Sequence, residues 1–192
     1  TVAVLFARKD SCYKTLPGCD VWDMERDARL WPGGMPGVFH PPCRSWGGLR
    51  HLAHASAEEH ALAVWAVEHV RRWGGVLEHP AHSRLWPEAK LPRPGQYDAW
   101  GGWTLGISQW WFGHRAEKRT WLYIVGCSPA DTPPVPFALG DAPCVIKSSN
   151  HGHARPDVSK AEREQTPLPL AQWLCAVARA CTSDPLRDSI NP

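Results

Sequence analysis

The chain has no Cys-x-x-Cys pair, and its seven cysteines are an odd number. A secreted disulfide framework shows an even set in a shorter chain, so a reducing, cytoplasmic setting is expected. His40-x-x-Cys43 and His51-x-x-His54 fit no zinc-ligand spacing, so no metal is expected. No stretch approaches the roughly 20 apolar residues of a membrane-spanning helix, which excludes a membrane partner. The opening run Val2–Ala7 is short, lacks a small-residue cleavage site and leads into Arg8, Lys9 and Asp10. It is therefore not read as a signal peptide. Net charge is also nearly absent, with 21 Lys and Arg against 19 Asp and Glu. That excludes a polycation that holds nucleic acid by bulk charge but leaves a local basic groove open. Tyr and Phe are scarce at 3 and 4, whereas Trp reaches 12 of 192 residues.

That length suits one domain with a buried core and is too short for two ordinary ones. Val2–Ala7 is a continuous apolar run, as expected of a strand buried on both faces. Asp10 to Leu16 reads as a short helix or turn, Asp20–Asp23 and Gly37–His40 as short strands. Pro41-Pro42 must leave any ladder, because proline has no N–H to donate. Residues 57–73 predict a helix with Ser56 and Glu59 as a capping box and a stripe of Leu62, Trp65, Ala66, His69 and Val70. Gly75–Glu78 predicts another buried strand. Residues 81–108 read as loop, and 109–113 with 120–126 as an antiparallel hairpin around a basic turn. Residues 127–165 are irregular and form a small insert in a single domain spanning 1–192. Thr166-Pro167 opens a last helix with Leu170, Trp173, Leu174, Val177 and Cys181 on one face. Strands alternating with helices predict a mostly parallel α/β sheet with a terminal antiparallel hairpin. Trp46, Trp65 and Trp73 are expected in the core. Trp100, Trp103, Trp110 and Trp111 read as loop-borne indoles able to stack on a base.

Two segments leave strand ends with unusual chemistry. Pro41-Pro42-Cys43, with Ser45 two residues on, resembles the nucleophile loop of the cytosine-5 DNA methyltransferase family. Leu77-Glu78-His79-Pro80 resembles that family's Glu-Asn segment, with His79 in place of Asn. Gln109–Val125 is similar to the strand pair that follows. Leu5-Phe6-Ala7 matches the start of the cofactor loop, and Val21–Asp27 resembles the second strand, whose acidic residue holds the cofactor ribose. The overlap covers residues 2–126 in order, and the texture resembles short phage-encoded members. Such a member would work in the cytoplasm of a bacterial host cell.

The resemblance implies a Rossmann-like methyltransferase sheet, S-adenosylmethionine as cofactor, and double- or single-stranded DNA as partner. Cys43 would add to carbon 6 of cytosine, making carbon 5 nucleophilic toward a one-carbon group. Glu78 would engage ring nitrogen 3 as charge builds. Arg44 and Ser45 would support the nucleophile loop. Phe6, Ala7 and Pro41 would border the cofactor, with Asp23 or Glu25 on its ribose. Arg115, Lys118, Arg119, Trp111 and Arg155 would contact DNA.

Three departures bear on these expectations. The family's cofactor loop is glycine-rich so that backbone can approach the ligand, yet no Gly precedes Gly18 here. Arg8 and Lys9 occupy that place and suit an anionic ligand. The connection from the second strand to the nucleophile strand is short, so one βα unit is dropped. Only 127–165 is available for reading DNA, including Lys147, Ser148, Ser149, Asn150, His151, His153 and Lys160. Low sequence specificity, a single-stranded or nucleotide substrate, or a partner protein for target recognition would each fit. Two alternatives are a divergent pyrimidine-modifying enzyme with another donor and a non-catalytic DNA-binding relative.

Overall fold

Alternation within the short apolar runs builds the architecture. In β1 (Val2–Leu5), Val2 and Val4 turn to one face of the sheet, and Ala3 and Leu5 turn to the other. Both sets are buried, as in a strand covered on two sides. The computed structural model describes residues 1–47, 55–146 and 155–183. Its sheet has six strands in the order β2-β1-β3-β4-β6-β5. The others are β2 (Cys19–Trp22), β3 (Gly37–Phe39), β4 (Gly75–Pro80), β5 (Trp103–Ser108) and β6 (Arg119–Val125). β1 to β4 run parallel, and β6 pairs antiparallel with both β4 and β5.

Helix α1 (Ala57–Trp73) covers one face and α4 (Leu168–Ala180) packs with the opposite cluster. The buried face of α1 is Ala63, Ala66, Val67 and Val70, rotated from the expected stripe. Leu62, Trp65 and His69 lie at its margin, half-buried, where the Trp65 and His69 rings stack 3.6 Å apart. Only half of the expected capping box forms. Ser56 Oγ accepts from the Glu59 N–H, while the Glu59 carboxylate pairs with Arg44 instead. On α4 the expected stripe is buried throughout. Short helices α2 (Leu85–Glu88) and α3 (Lys160–Glu164) lie in segments read as irregular from sequence.

The hairpin is displaced from its expected position. Gln109–Phe112 is not a strand but a 3-10 turn, closed by Gly113 at φ 93°. The pairing strand is Trp103–Ser108, inside the stretch read as loop. Trp103 is therefore buried in the sheet, its indole N–H donating to the Cys127 carbonyl at 2.9 Å. One close approach sets the start of the β3–β4 pair. A Cβ on Gly75 would sit 2.0 Å from the Gly37 carbonyl oxygen, so only glycine permits this register.

This topology gathers chain ends on one rim. Parallel β1, β3, β4 and β5 deliver their carboxyl ends there, and antiparallel β6 delivers its amino end. β1 continues outward to β2, while β3 lies on the other side of β1, so the order reverses between them. Ligands of open α/β sheets bind in the crevice at such a reversal. Among the described residues, no helix is long and apolar enough to cross a membrane.

Candidate active site

A cleft of about 1590 Å³ opens over this rim. Its lining includes Phe6 and Ala7 after β1, His40 to Arg44 after β3, Glu78 and Pro80 on β4, and Gly113 to Arg119 before β6, except Ala116. Residues 159–168 form the opposite wall. The volume exceeds the roughly 300–1,000 Å³ of an ordinary small-molecule pocket.

Phe6 adopts φ 60°, a left-handed backbone that costs a bulky residue about 1 kcal/mol or more. Two contacts hold it: its ring packs edge-on to Trp65 at 5.6 Å, and the next N–H, from Ala7, donates to the Trp22 carbonyl at 3.1 Å. The His40 N–H donates to the Leu5 carbonyl at 3.1 Å, fixing the start of the Pro41-Pro42-Cys43 loop against β1.

The loop then turns on Cys43, whose carbonyl accepts from the Trp46 and Gly47 N–H groups at 3.0 and 3.1 Å. Trp46 is buried and stacks on His60 of α1 at 3.7 Å. Ser45 Oγ lies 3.2 Å from His60 Nδ1, and Arg44 reaches Glu59. These residues therefore clamp the loop to α1, with their polar ends bonded there. Cys43 itself is exposed on the cleft side. Enclosure by the cleft walls and the Glu78 charge raise its thiol above the ordinary value, and Lys118 opposes them.

Glu78 is the best-connected group of the site. Its Oε2 lies 3.1 Å from His40 Nδ1, and its Oε1 accepts from Gln109 Nε2 at 3.1 Å. His40 Nε2 lies 2.9 Å from the hydroxyl of buried Tyr13. Gln109 Nε2 also donates to Thr120 Oγ1 at 3.1 Å. Burial of Glu78 disfavours its charge, but the hydrogen bond from His40 and the positive charge of Lys118 outweigh burial. They hold its carboxyl down to about 2, so it is ionised at neutral pH. Composition and motif pointed to Cys43 and Glu78, but not to Tyr13, His40 or Gln109. For His40 and Gln109 the available signal was position, since they directly follow β3 and β5, whereas Tyr13 lies in the 3-10 turn Cys12–Thr15 and carried none.

His79 points away from solvent, and neither ring nitrogen has a hydrogen bond of ordinary geometry. Burial lowers its pKa to about 4 against the Glu78 charge and the Pro42 carbonyl, which favour the protonated ring. Its ring is thus neutral at neutral pH and lies against the Pro41-Pro42-Cys43 loop. The unfolded chain takes up the proton first, from about pH 6.5 downward. The stability conferred by the neutral ring is full above that pH and declines as pH falls toward 4. We expect the urea midpoint to fall over this window, and His79→Asn to flatten the fall. The full span corresponds to about 3 kcal/mol.

The other sequence expectations divide by place. Phe6, Ala7, Pro41, Arg115, Lys118 and Arg119 line the cleft. Asp23 and Glu25, expected on a cofactor ribose, do not line it. Asp23 is buried, accepts from the Glu25 and Arg26 N–H groups, and pairs with Lys14 Nζ at 2.6 Å. Glu25 pairs with Lys9 at 2.8 Å. Trp111 packs on Phe137 at 5.1 Å outside the cleft, and Arg155 donates to the Ala142 carbonyl. No Trp lines the cleft among the described residues, so the indoles are not its base platform. His51, His54, Lys147 to Asn150, His151 and His153 lie outside the described residues. Among the described residues, no group of three or more His, Cys, Asp or Glu is placed to hold a metal ion.

The resemblance implies S-adenosylmethionine as the donor, held by a glycine-rich loop. Arg8 occupies the place of the glycine-rich loop, bound to Asp10 at 3.0 Å and to Glu164 at 2.8 Å. With Asp23 and Glu25 also bound elsewhere, the residues present do not fit that cofactor. The chain matches no family model, no curated protein and no solved structure.

Proposed function

We propose that the chain activates cytosine, or a close pyrimidine, of DNA for substitution at carbon 5, with Cys43 as nucleophile and Glu78 as the group that engages the ring edge. One observation carries this reading. An accessible thiol and an ionised, hydrogen-bonded carboxylate leave adjacent parallel strands and face one cleft. Supporting it is the strand order 2-1-3-4-6-5, with its single antiparallel strand between β4 and β5. A methyltransferase sheet shortened by one βα unit would have this Rossmann-like form.

The chemistry follows from the charges. The Cys43 thiol is protonated at rest, since enclosure and the Glu78 charge both oppose the thiolate. Glu78 is ionised and has no proton of its own to give; it accepts from the 4-amino group of the base, and that hydrogen bond draws its charge toward the ring. Arrival of a base at Glu78 therefore weakens the field that keeps the thiol neutral. Sulfur then bonds carbon 6, and carbon 5 becomes the nucleophile toward an electrophilic one-carbon donor. Arg115, Lys118 and Arg119 would contact phosphates at the cleft mouth. Arg115 and Arg119 are held meanwhile by Glu162 and Glu117.

A second reading, a non-catalytic DNA-binding relative, is favoured by the Arg8 ion pairs where a donor would sit. Mass spectrometry of nucleosides from DNA of cells expressing the chain separates the two. The first reading predicts a cytosine carrying added mass at carbon 5, absent from cells expressing Cys43→Ala. Unmodified nucleosides in both favour the second.

A further inference from the structure

We propose that His40, backed by Tyr13, is the positioning residue that supplies and recovers the proton exchanged between Glu78 and the base. The inference rests on the reading of Cys43 and Glu78 given above. It begins with hydrogen-bond accounting along Tyr13, His40 and Glu78. An ionised carboxylate only accepts, so His40 Nδ1 carries a hydrogen and donates to Glu78 Oε2. That leaves Nε2 facing the Tyr13 hydroxyl. A phenol both donates and accepts, so it serves the neutral ring by donating and the imidazolium by accepting. Tyr13 is fully enclosed and its own proton is held more firmly than usual, so it stays a phenol throughout. The chain therefore accommodates either protonation state of His40 without breaking a bond.

The register explains why these groups meet. His40 follows β3 directly, Glu78 lies on the neighbouring β4, and Tyr13 lies in the 3-10 turn after β1. The Tyr13 and His40 rings sit 5.4 Å apart. The titratable and charged groups facing His40 and Glu78 are Tyr13 in the turn after β1, Cys43 after β3, His79 on β4, and Lys118 before β6, and Cys12, Cys19 and Cys175 lie near Tyr13.

The step balances without an outside reagent. The Cys43 Sγ–H bond breaks and the Sγ–carbon 6 bond forms. The carbon 5–carbon 6 π pair moves to the carbon 4–carbon 5 bond, and the carbon 4–nitrogen 3 π pair moves onto nitrogen 3. Nitrogen 3 gains a proton through Glu78 from imidazolium His40. The proton released by the thiol restores the imidazolium. Without an imidazole at position 40, Glu78 has no ring from which to pass on a proton, so addition slows.

The test uses the full chain and a single-stranded oligonucleotide containing 5-azacytosine, whose ring position 5 is nitrogen. That atom takes a proton after attack at carbon 6, so capture needs no one-carbon donor. The capture rate is followed for the parent, His40→Gln, His40→Ala and Tyr13→Phe, with and without added imidazole, and thermal unfolding confirms that each variant folds. We expect imidazole to leave the parent rate unchanged. His40→Gln should run about 100-fold slower or more, the lower end of acid–base contributions. His40→Ala should be equally slow and recover part of the rate with imidazole, and Tyr13→Phe, which keeps the packing, should fall between parent and His40→Gln. Equal rates for the parent and His40→Gln, or a His40→Ala rate that imidazole leaves unchanged, would overturn the inference while leaving the Cys43 reading intact. A parent that captures nothing would overturn the proposed function and, with it, the role of His40.

Discussion

Cys43→Ala abolishes capture of 5-azacytosine DNA, with a loss of about 1,000-fold or more, since a residual rate would need another nucleophile at the same place. Binding of the unmodified oligonucleotide stays within about two-fold, because Cys43 contributes no charge or cap to the cleft, and each 1.4 kcal/mol is tenfold in affinity. Denaturing gels read capture, and fluorescence anisotropy reads binding. The loop should keep its shape in the variant. Its turn uses the backbone carbonyl of residue 43, and its clamps are Trp46, Ser45 and Arg44 on α1. Equal loss of binding and capture would mean that the thiol is structural.

Glu78→Gln gives the second large effect, and it has two signs. Base capture falls by about 100- to 10,000-fold, the range for a positioned acid–base group. Alkylation of Cys43 by iodoacetamide at neutral pH rises instead. Enclosure is the larger cause of the raised Cys43 value and persists, but the Glu78 charge that adds to it is gone. The amide oxygen still accepts from His40, while its NH2 faces the Gln109 Nε2 donor, so that second bond is kept only if the Gln109 amide turns over. A variant that slows both reactions would indicate general damage to the loop. The same substitution removes an acid limb of stability. Glu78 has its folded value depressed to about 2, so its ionised form stabilises the fold above about pH 4.5. That stability is lost as pH falls from there toward 2, and a glutamine has none to lose.

Much of the fold could be read because buried parallel strands leave a simple signal. Val2–Leu5, Gly37–Phe39 and Gly75–Leu77 are short apolar runs bounded by glycine, proline or charge. The α4 stripe has a clean helical period. β5 was missed because Trp103–Ser108 follows Gly101-Gly102 and contains Gly106, features that read as loop. Its side chains are buried by tertiary packing, with Thr104 Oγ1 linking the Trp86 indole to the Pro92 carbonyl. Gln109–Phe112 was mistaken for a strand because its aromatics look like one, yet Gly113 closes it as a turn. That shift hid Gln109, which reaches Glu78 only when β5 ends at Ser108.

The site was legible to a different degree. Pro-Pro-Cys and Leu-Glu carry their chemistry in residue type, so Cys43 and Glu78 stand out. His40 and Tyr13 are ordinary residue types, and their meaning comes from the β1–β3–β4 register that sets them side by side. Asp23 and Glu25 show the converse. Acidic residues at a strand end have the right type for a ribose, but Lys14, Lys9 and two backbone N–H groups satisfy them first.

The central claim is that Cys43 forms a bond to a pyrimidine held in the rim cleft. Proteolysis of the parent protein captured on 5-azacytosine DNA, followed by peptide mass mapping, tests it most directly. The account predicts the nucleotide mass on the peptide containing Pro41-Pro42-Cys43. Finding that mass on a peptide bearing Cys12 or another cysteine, or finding no adduct on any peptide, would contradict it.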